Sequence, residues 1–238
     1  MRKIAHHQIT GDIFLLSSMR IGGNDDFLQI GATDLTVIKH QDTLEPYVPG
    51  SSLKGKMRSQ LELQYGLCSG RGEPFTPRKL QYLSPTEYLV ASIFGPHKCT
   101  DHDLGPTRII VRDGSLKFGG SIEIKPEVMV RRTTGVGDNP RTMERVAAGS
   151  IFRLKIELQV LDVDRNNAQK CAYGGKTVGD AMVEFVKVGL RLVEQTGLGA
   201  SVSRGSGEVE FRDLKLNGIP TTLPQEIPTT LPQEIPTS

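Results

Sequence analysis

Three cations, Lys54, Lys56 and Arg58, stand directly after Pro49-Gly50-Ser51-Ser52. The spacing predicts a turn, a pair of hydroxyl caps and then a helix over about residues 52–65, because Leu53, Met57, Leu61 and Tyr65 recur every four positions as a buried stripe. A helix N-terminus presents unpaired backbone N–H groups and a partial positive charge. With Ser51, Ser52, Lys54 and Arg58 beside it, such a terminus is suited to a phosphate. A solvated helix face is the plainer reading of the same cations.

Gly50-x4-Gly55-Lys56 comes close to the phosphate-binding loop of NTPases, but Met57 stands where a hydroxyl would hold Mg²⁺. Met57 also falls on the apolar stripe, which removes the nucleotide reading. Arg131, Arg132, Arg141 and Arg145 lie in a stretch, residues 131–149, without core periodicity. Their planar guanidinium forks suit phosphates and stack on bases; an ordinary exposed hairpin is the alternative, since Asp138 and Glu144 interrupt the run. Asp34, in Gly31-Ala32-Thr33-Asp34, is either a turn residue or a catalytic carboxylate. Cys68, His97, Cys99 and His102 are zinc-ligand types, but the close Cys pair of a standard zinc signature is absent, so unliganded loop residues are the favoured reading and zinc the alternative. Serine-hydrolase, zincin and dinucleotide motifs are missing.

These residues must be positioned by a small set of elements. Residues 8–16, 107–112, 121–130 and 208–216 read as strands, and residues 151–160 alternate apolar and polar as a half-buried strand does. Ser84-Pro85-Thr86-Glu87 is a capping box that should start a short helix through Phe94, and residues 178–196 carry apolar side chains at helical spacing. The glycine-rich residues 197–207 form a loop carrying Arg204. The resulting order, βαββαβ with insertions, is that of an α+β, ferredoxin-like fold, which is also the topology of RNA-recognition modules. One domain is expected over residues 1–218, with a projecting hairpin at about 125–150 and lid insertions at about 22–33 and 67–106. The repeat Ile-Pro-Thr-Thr-Leu-Pro-Gln-Glu fills residues 219–238, where the proline frequency predicts an extended, mobile and functionally neutral tail.

Net charge is only +2 over 238 residues, so any nucleic-acid site must come from local clustering. Trp is absent and the core is expected to be aliphatic. No apolar run reaches membrane-spanning length, and the N-terminus lacks a signal-peptide core, so a cytoplasmic protein without membrane contact is expected. Three cysteines without scaffold spacing fit a reducing compartment.

Several segments, in order, resemble one family: Ile21-Gly22-Gly23, Ile30-Gly31-Ala32-x-Asp34, the stretch from Pro49 to Arg58, Ile93-Phe94-Gly95, Arg132-Thr133-Thr134-Gly135, Glu144-Arg145-Val146, Gly149-Ser150-x-Phe152 and Ser203-Arg204-Gly205-Ser206-Gly207. Together they look like the repeated backbone subunit of type III CRISPR effector complexes, the Cas7 group of the RAMP superfamily, with the Csm type nearest. The resemblance covers about residues 8–216.

It implies copies stacked head to tail along a CRISPR guide RNA, with other effector subunits as partners. It implies a palm that holds the guide backbone through residues such as Arg20, Ser51, Ser52, Lys54, Arg58 and Arg204, and an arginine-rich thumb that interrupts the guide–target duplex. Asp34, with Mg²⁺ or Mn²⁺, would support cleavage of single-stranded target RNA to 2′,3′-cyclic phosphate and 5′-hydroxyl ends. The Cys/His loop would match a Zn²⁺-bearing insertion seen in some relatives. Arg20 departs from the family by standing where relatives often have His. A non-catalytic scaffold, and a stand-alone CRISPR RNA-processing endoribonuclease of the same superfamily, are the alternative functions.

Overall fold

The computed structural model describes residues 1–22, 35–68, 72–77, 83–99, 102–166 and 176–228. Strand β1 (Lys3–Leu15) leads to helix α1 (Gly50–Gln64) and helix α2 (Pro85–Phe94). Short strands β2 (Ile109–Val111) and β3 (Leu116–Phe118) precede a hairpin of β4 (Ile122–Val130) and β5 (Gly137–Val146). Strand β6 (Ile151–Leu161), the short helix α3 (Asp162–Asn166) and the long helix α4 (Val178–Thr196) follow. Strand β7 (Val209–Leu216) and a two-residue strand β8 (Ile219–Pro220) close the chain.

The main sheet runs β2-β6-β1-β7-β8, with β3 also on β6, and its pairings are antiparallel. Helices α1 and α4 pack on it and on each other. This is the ferredoxin-like order the sequence pattern predicts, with α2 and the β4–β5 hairpin as insertions. The alternation along β6 explains its place: Phe152, Leu154, Ile156, Leu158 and Val160 are buried, while Arg153 and Lys155 face water. On α1, Leu53, Met57 and Leu61 are fully enclosed, and on α4 Met182, Phe185, Val186 and Val193 meet them in a single core. The predicted capping box at Ser84 is formed, with the Ser84 hydroxyl accepting from the Glu87 N–H and the Glu87 carboxylate accepting from the Ser84 N–H.

Two expectations change. The hydroxyl caps of α1 are not caps: Pro49 is the N-cap, so Ser51 and Ser52 lie within the first helical turn. Residues 219–228 of the tail lie on the domain instead of hanging free. Strand β8 pairs with β7 through Leu216–Ile219 and Lys215–Pro220, and Leu223 and Ile227 pack against the core. Proline is tolerated because β8 is an edge, where its missing N–H costs no ladder bond. The Leu and Ile of the repeat gain more from burial than a solvated tail would. Residues 229–238 fall outside the described set.

One ion pair is entirely enclosed. Arg108 donates through Nε to Asp164 Oδ2 at 3.0 Å and through Nη2 to Asp164 Oδ1 at 2.7 Å, and both side chains are fully buried. Tyr88 Oη and the Leu161 N–H donate to the same carboxylate, each at 2.7 Å, while the Leu104 and Pro106 carbonyls accept from the guanidinium. The network ties α2, the approach to β2, the end of β6 and α3 together. Removing one partner of such a pair leaves a buried charge uncompensated, at a cost of about 3–5 kcal/mol. Asp164→Ala is expected to lower unfolding stability by about that amount in a urea titration, whereas replacing the exposed Asp42 should leave the midpoint unchanged.

Candidate nucleic-acid interface

The C-terminal end of β1 runs on into residues 16–22, and two other parts of the chain are fastened to it. The glycine-rich loop 197–207 is held by Leu16 N–H to Glu208 O (2.9 Å), Gly207 N–H to Ser18 O (3.0 Å) and Ala200 N–H to Arg20 O (2.8 Å). The base of the β4–β5 hairpin is held by reciprocal bonds between Met19 and Val146 at 2.9 and 2.7 Å. The segment entering α1 is held to the strand β2–β3 connection by reciprocal Val48–Gly114 bonds of 3.0 and 2.8 Å. Thus the hairpin and the glycine loop share the end of β1, and the start of α1 is anchored separately beside β2 and β3. Close approach fixes two glycines there. A Cβ on Gly50 would overlap the Val111 carbonyl, and a Cβ on Gly207, at φ +77°, would overlap the Leu198 carbonyl.

At the start of α1, Pro49 offers no side-chain cap and no acidic residue lies in the first turn, so the carboxylate that meets its partial positive charge comes from outside the helix. The Gly50 N–H is taken by Asp113 Oδ1 at 2.7 Å. Ser51 is exposed, and Ser52 and Lys54 are half-buried. Burial, and secondarily the nearby Arg58 guanidinium, push the Lys54 ammonium below its ordinary pKa. Burial alone does the same to Lys56. Arg58 differs from the expected free phosphate ligand: its Nε donates to Glu62 Oε1 at 2.6 Å and its Nη2 to the Phe75 carbonyl at 3.1 Å. The i,i+4 spacing within a partly buried helix face brings Glu62 to it.

The arginines divide into two groups. Arg131 and Arg132 are exposed at the hairpin tip, where Arg131 Nε meets Asp138 Oδ2 at 2.7 Å. Arg141, Arg145 and Arg204 come together lower down, between the hairpin and the glycine loop. Arg141 Nη2 reaches Glu127 Oε2 at 2.9 Å, Arg204 Nη1 reaches the same oxygen at 3.4 Å, and Arg204 Nη2 donates to Ser201 Oγ at 2.6 Å. Arg145 Nη2 reaches Glu123 Oε2 at 3.3 Å and its Nη1 lies 3.4 Å from Ser206 Oγ, while its buried Nε has no hydrogen-bond partner. Arg20 sits beside them, its Nε donating to the Thr36 carbonyl at 3.4 Å and its own carbonyl fastened to the loop.

Sequence reasoning missed Glu123 and Glu127. The signal was cross-strand register: Glu123 stands opposite Arg145 and Glu127 opposite Arg141 in the hairpin ladder. It also missed the work of Glu144, whose carboxylate accepts from the Val37 N–H (3.1 Å) and from Lys39 Nζ (3.0 Å).

Asp34 lies outside the described residues. Its successor is firmly placed: Leu35 bridges Met143 of β5, and the Leu35 carbonyl accepts from the Glu144 N–H at 2.8 Å. On the other side of the segment, Gly22 pairs with Val37. The backbone therefore re-enters the described fold at the hairpin base. Cys68 is exposed and Cys99 is half-buried. Among the described residues no three His, Cys, Asp or Glu side chains are gathered as metal ligands, so Cys68, His97, Cys99 and His102 do not converge. No helix among the described residues is long and apolar enough to cross a membrane.

The RAMP superfamily model matches residues 13–210 of this chain. A relative from Methanothermobacter thermautotrophicus, named CRISPR system Cms endoribonuclease Csm3, is 34% identical over 243 residues, spanning 92% of this chain and 89% of the relative. The Csm3 of Streptococcus thermophilus is 32% identical over 217 residues, spanning 87% of this chain and 88% of that protein. Among solved structures, a chain of the Csm3–Csm4 subcomplex of the type III-A CRISPR-Cas interference complex aligns with a TM-score of 0.53 and 25% identity, covering 91% of this chain and 80% of that one.

The glycine loop makes its own test. Gly207→Ala should force the loop off β1, lowering the melting temperature and displacing Arg204 together. Gly205→Ala, where a Cβ meets open space at φ +79°, should cost only the left-handed backbone penalty of about 1–2 kcal/mol. Parallel thermal melts and RNA-binding titrations of the two variants check this; equal losses would mean that the contact with Leu198 does not set the loop.

Proposed function

This chain belongs to the RAMP superfamily, and on that premise we propose that it is a guide-RNA-binding backbone subunit of a type III CRISPR effector complex that cleaves bound target RNA. The observation that supports this reading best is the sheet edge at the end of β1, where the β4–β5 hairpin and the Arg204 loop are both fastened. That edge supplies phosphate donors from separate elements within one rigid frame, and such donors fix the register of a nucleic acid without reading its bases. A net charge of +2 is no objection, because a nucleic-acid site needs only local clustering of cations. The Csm3 relatives are named endoribonucleases, which supports the cleavage part of the reading.

The chain is proposed to act in the cytoplasm, stacked with further copies of itself and with other effector subunits. In this reading Lys54 holds guide phosphates, helped by the hydroxyls of Ser51 and Ser52. The hairpin, with Arg131 and Arg132 at its tip, breaks the guide–target duplex. Target cleavage uses the RNA's own 2′-hydroxyl in line with the scissile phosphate, giving 2′,3′-cyclic phosphate and 5′-hydroxyl ends. Asp34 is the carboxylate assigned to this step. The described residues contain no gathered ligand set, so a Mg²⁺ or Mn²⁺ ion would be held by Asp34 and by RNA oxygens. When bound, the ion would offset negative charge building on the phosphate.

Asp34→Ala is expected to reduce single-turnover cleavage by about 10²–10⁴-fold with assembly and target affinity intact. Undiminished cleavage in that variant would move the chemistry to another residue and leave a scaffold role for this one. A second experiment separates the two α1 cations. Lys54→Ala should weaken guide binding and reduce its salt slope by about 0.7. Arg58→Ala should instead lower thermal stability, because Glu62, almost fully buried, would lose its partner. If Arg58→Ala flattens the slope and Lys54→Ala does not, the phosphate contact belongs to Arg58.

A further inference from the structure

Glu127 has surroundings that differ from those of the other carboxylates in the hairpin. Its side chain is 14% exposed, and it lies beneath two arginines that are 46% (Arg141) and 50% (Arg204) exposed. Lys125 Nζ comes within 3.5 Å of its other oxygen. Three cations, from two strands of the hairpin and from the glycine loop, therefore converge on one carboxylate. Glu123 is arranged the opposite way. There the carboxylate is 45% exposed and its arginine, Arg145, only 17%, and the Ser18 hydroxyl donates to it at 2.7 Å. The pair Glu123–Arg145 is a strut between the hairpin and the end of β1. The Glu127 cluster is a basic surface with an anion already seated under it.

A concavity of about 350 Å³ lies at this place, lined by Glu127, Val128, Met129, Arg141 and Arg204. One wall is apolar, and a low-dielectric wall strengthens the hold of the facing cations on an anion. Carboxylates and phosphates are held by the same guanidinium forks. Hydrogen bonding from Arg141 first, then the charges of Arg204 and Lys125, hold the Glu127 carboxyl below the usual carboxylate range, so it stays ionised at neutral pH.

We infer that Glu127 is a specificity-determining residue: its carboxylate occupies the seat of an RNA backbone phosphate, and RNA engages Arg141 and Arg204 only by displacing it. The inference rests on the RNA-binding reading above. An RNA chain anchored at several points along the groove offsets the loss of the Glu127 contacts. An RNA touching the hairpin alone does not, and is rejected. Glu127 thus suppresses binding by unrelated single-stranded RNA while leaving the arginines positioned for the correct one.

The test uses the full chain and a fluorescein-labelled oligouridylate, followed by anisotropy across a salt titration. Glu127→Gln keeps shape and removes charge. It is expected to bind about tenfold more tightly at low salt, with a slope steeper by about 0.7 for each cation released to phosphate. Arg204→Ala should abolish the gain in Glu127→Gln. Should Glu127→Gln melt well below the wild type, Glu127→Met, neutral and of similar volume, is judged by the same criteria. Unchanged or weaker binding by a folded neutral variant, with the wild type binding RNA, overturns the role of Glu127 and leaves the RNA-binding reading standing. Absence of RNA binding by wild type and both neutral variants overturns both.

Discussion

Strand β1 hydrogen-bonds along both of its edges, to β6 on one side and β7 on the other, and this double ladder is the constraint on which the interface depends. A central strand cannot shift register without exposing its buried residues Ile9, Ile13 and Leu15. Its C-terminal end is therefore a fixed point in space. Two of the parts proposed to touch RNA are attached to that end by backbone bonds: the hairpin through Met19–Val146 and the glycine loop through Ser18 and Arg20. Backbone attachment leaves the side chains free to meet a ligand while their origins stay put.

Charge pairing explains how a nearly neutral chain presents a basic groove without being indiscriminately sticky. Arg131, Arg141, Arg145 and Arg204 each have a carboxylate within 3.5 Å. Where the carboxylate is outside and the arginine inside, as in Glu123–Arg145, the pair braces the fold. Where the arginines are outside, as around Glu127, the pair is available for exchange with another anion. Burial order, more than composition, separates structural cations from binding cations. On α1, Arg58 is held by Glu62 and the Phe75 carbonyl, although it and Lys54 looked equivalent as letters in one motif.

Much of the fold was legible in the residues. The β6 alternation, the Ser84 capping box and the α4 stripe are local signals whose outcome depends on neighbours a few positions away, and each formed where expected. The hairpin was recognised as a projection, but β5 was hidden because its residues lack core periodicity; a strand whose buried residues, among those described, are only Met143 and Val146 leaves little apolar pattern. The tail was misread because proline content reports on a chain by itself. It does not report the apolar surface beside α4 and β7 that Leu223 and Ile227 cover.

The sequence by itself determined the element order, the apolar stripe that puts Met57 in the core and so excludes a nucleotide loop, and the family to which the motifs belong. These follow from side-chain type and short-range spacing, which water and the backbone read directly. Only the tertiary structure decided which cation faces which carboxylate. Glu127 gathers Arg204 from far along the chain, and Arg108 finds Asp164 across a sheet edge, because these contacts depend on how strands register and helices close against one another. Electrostatic partnership acts over a few ångströms in space with no regard to separation in sequence, so pattern alone could nominate the arginines but not say which of them are already held.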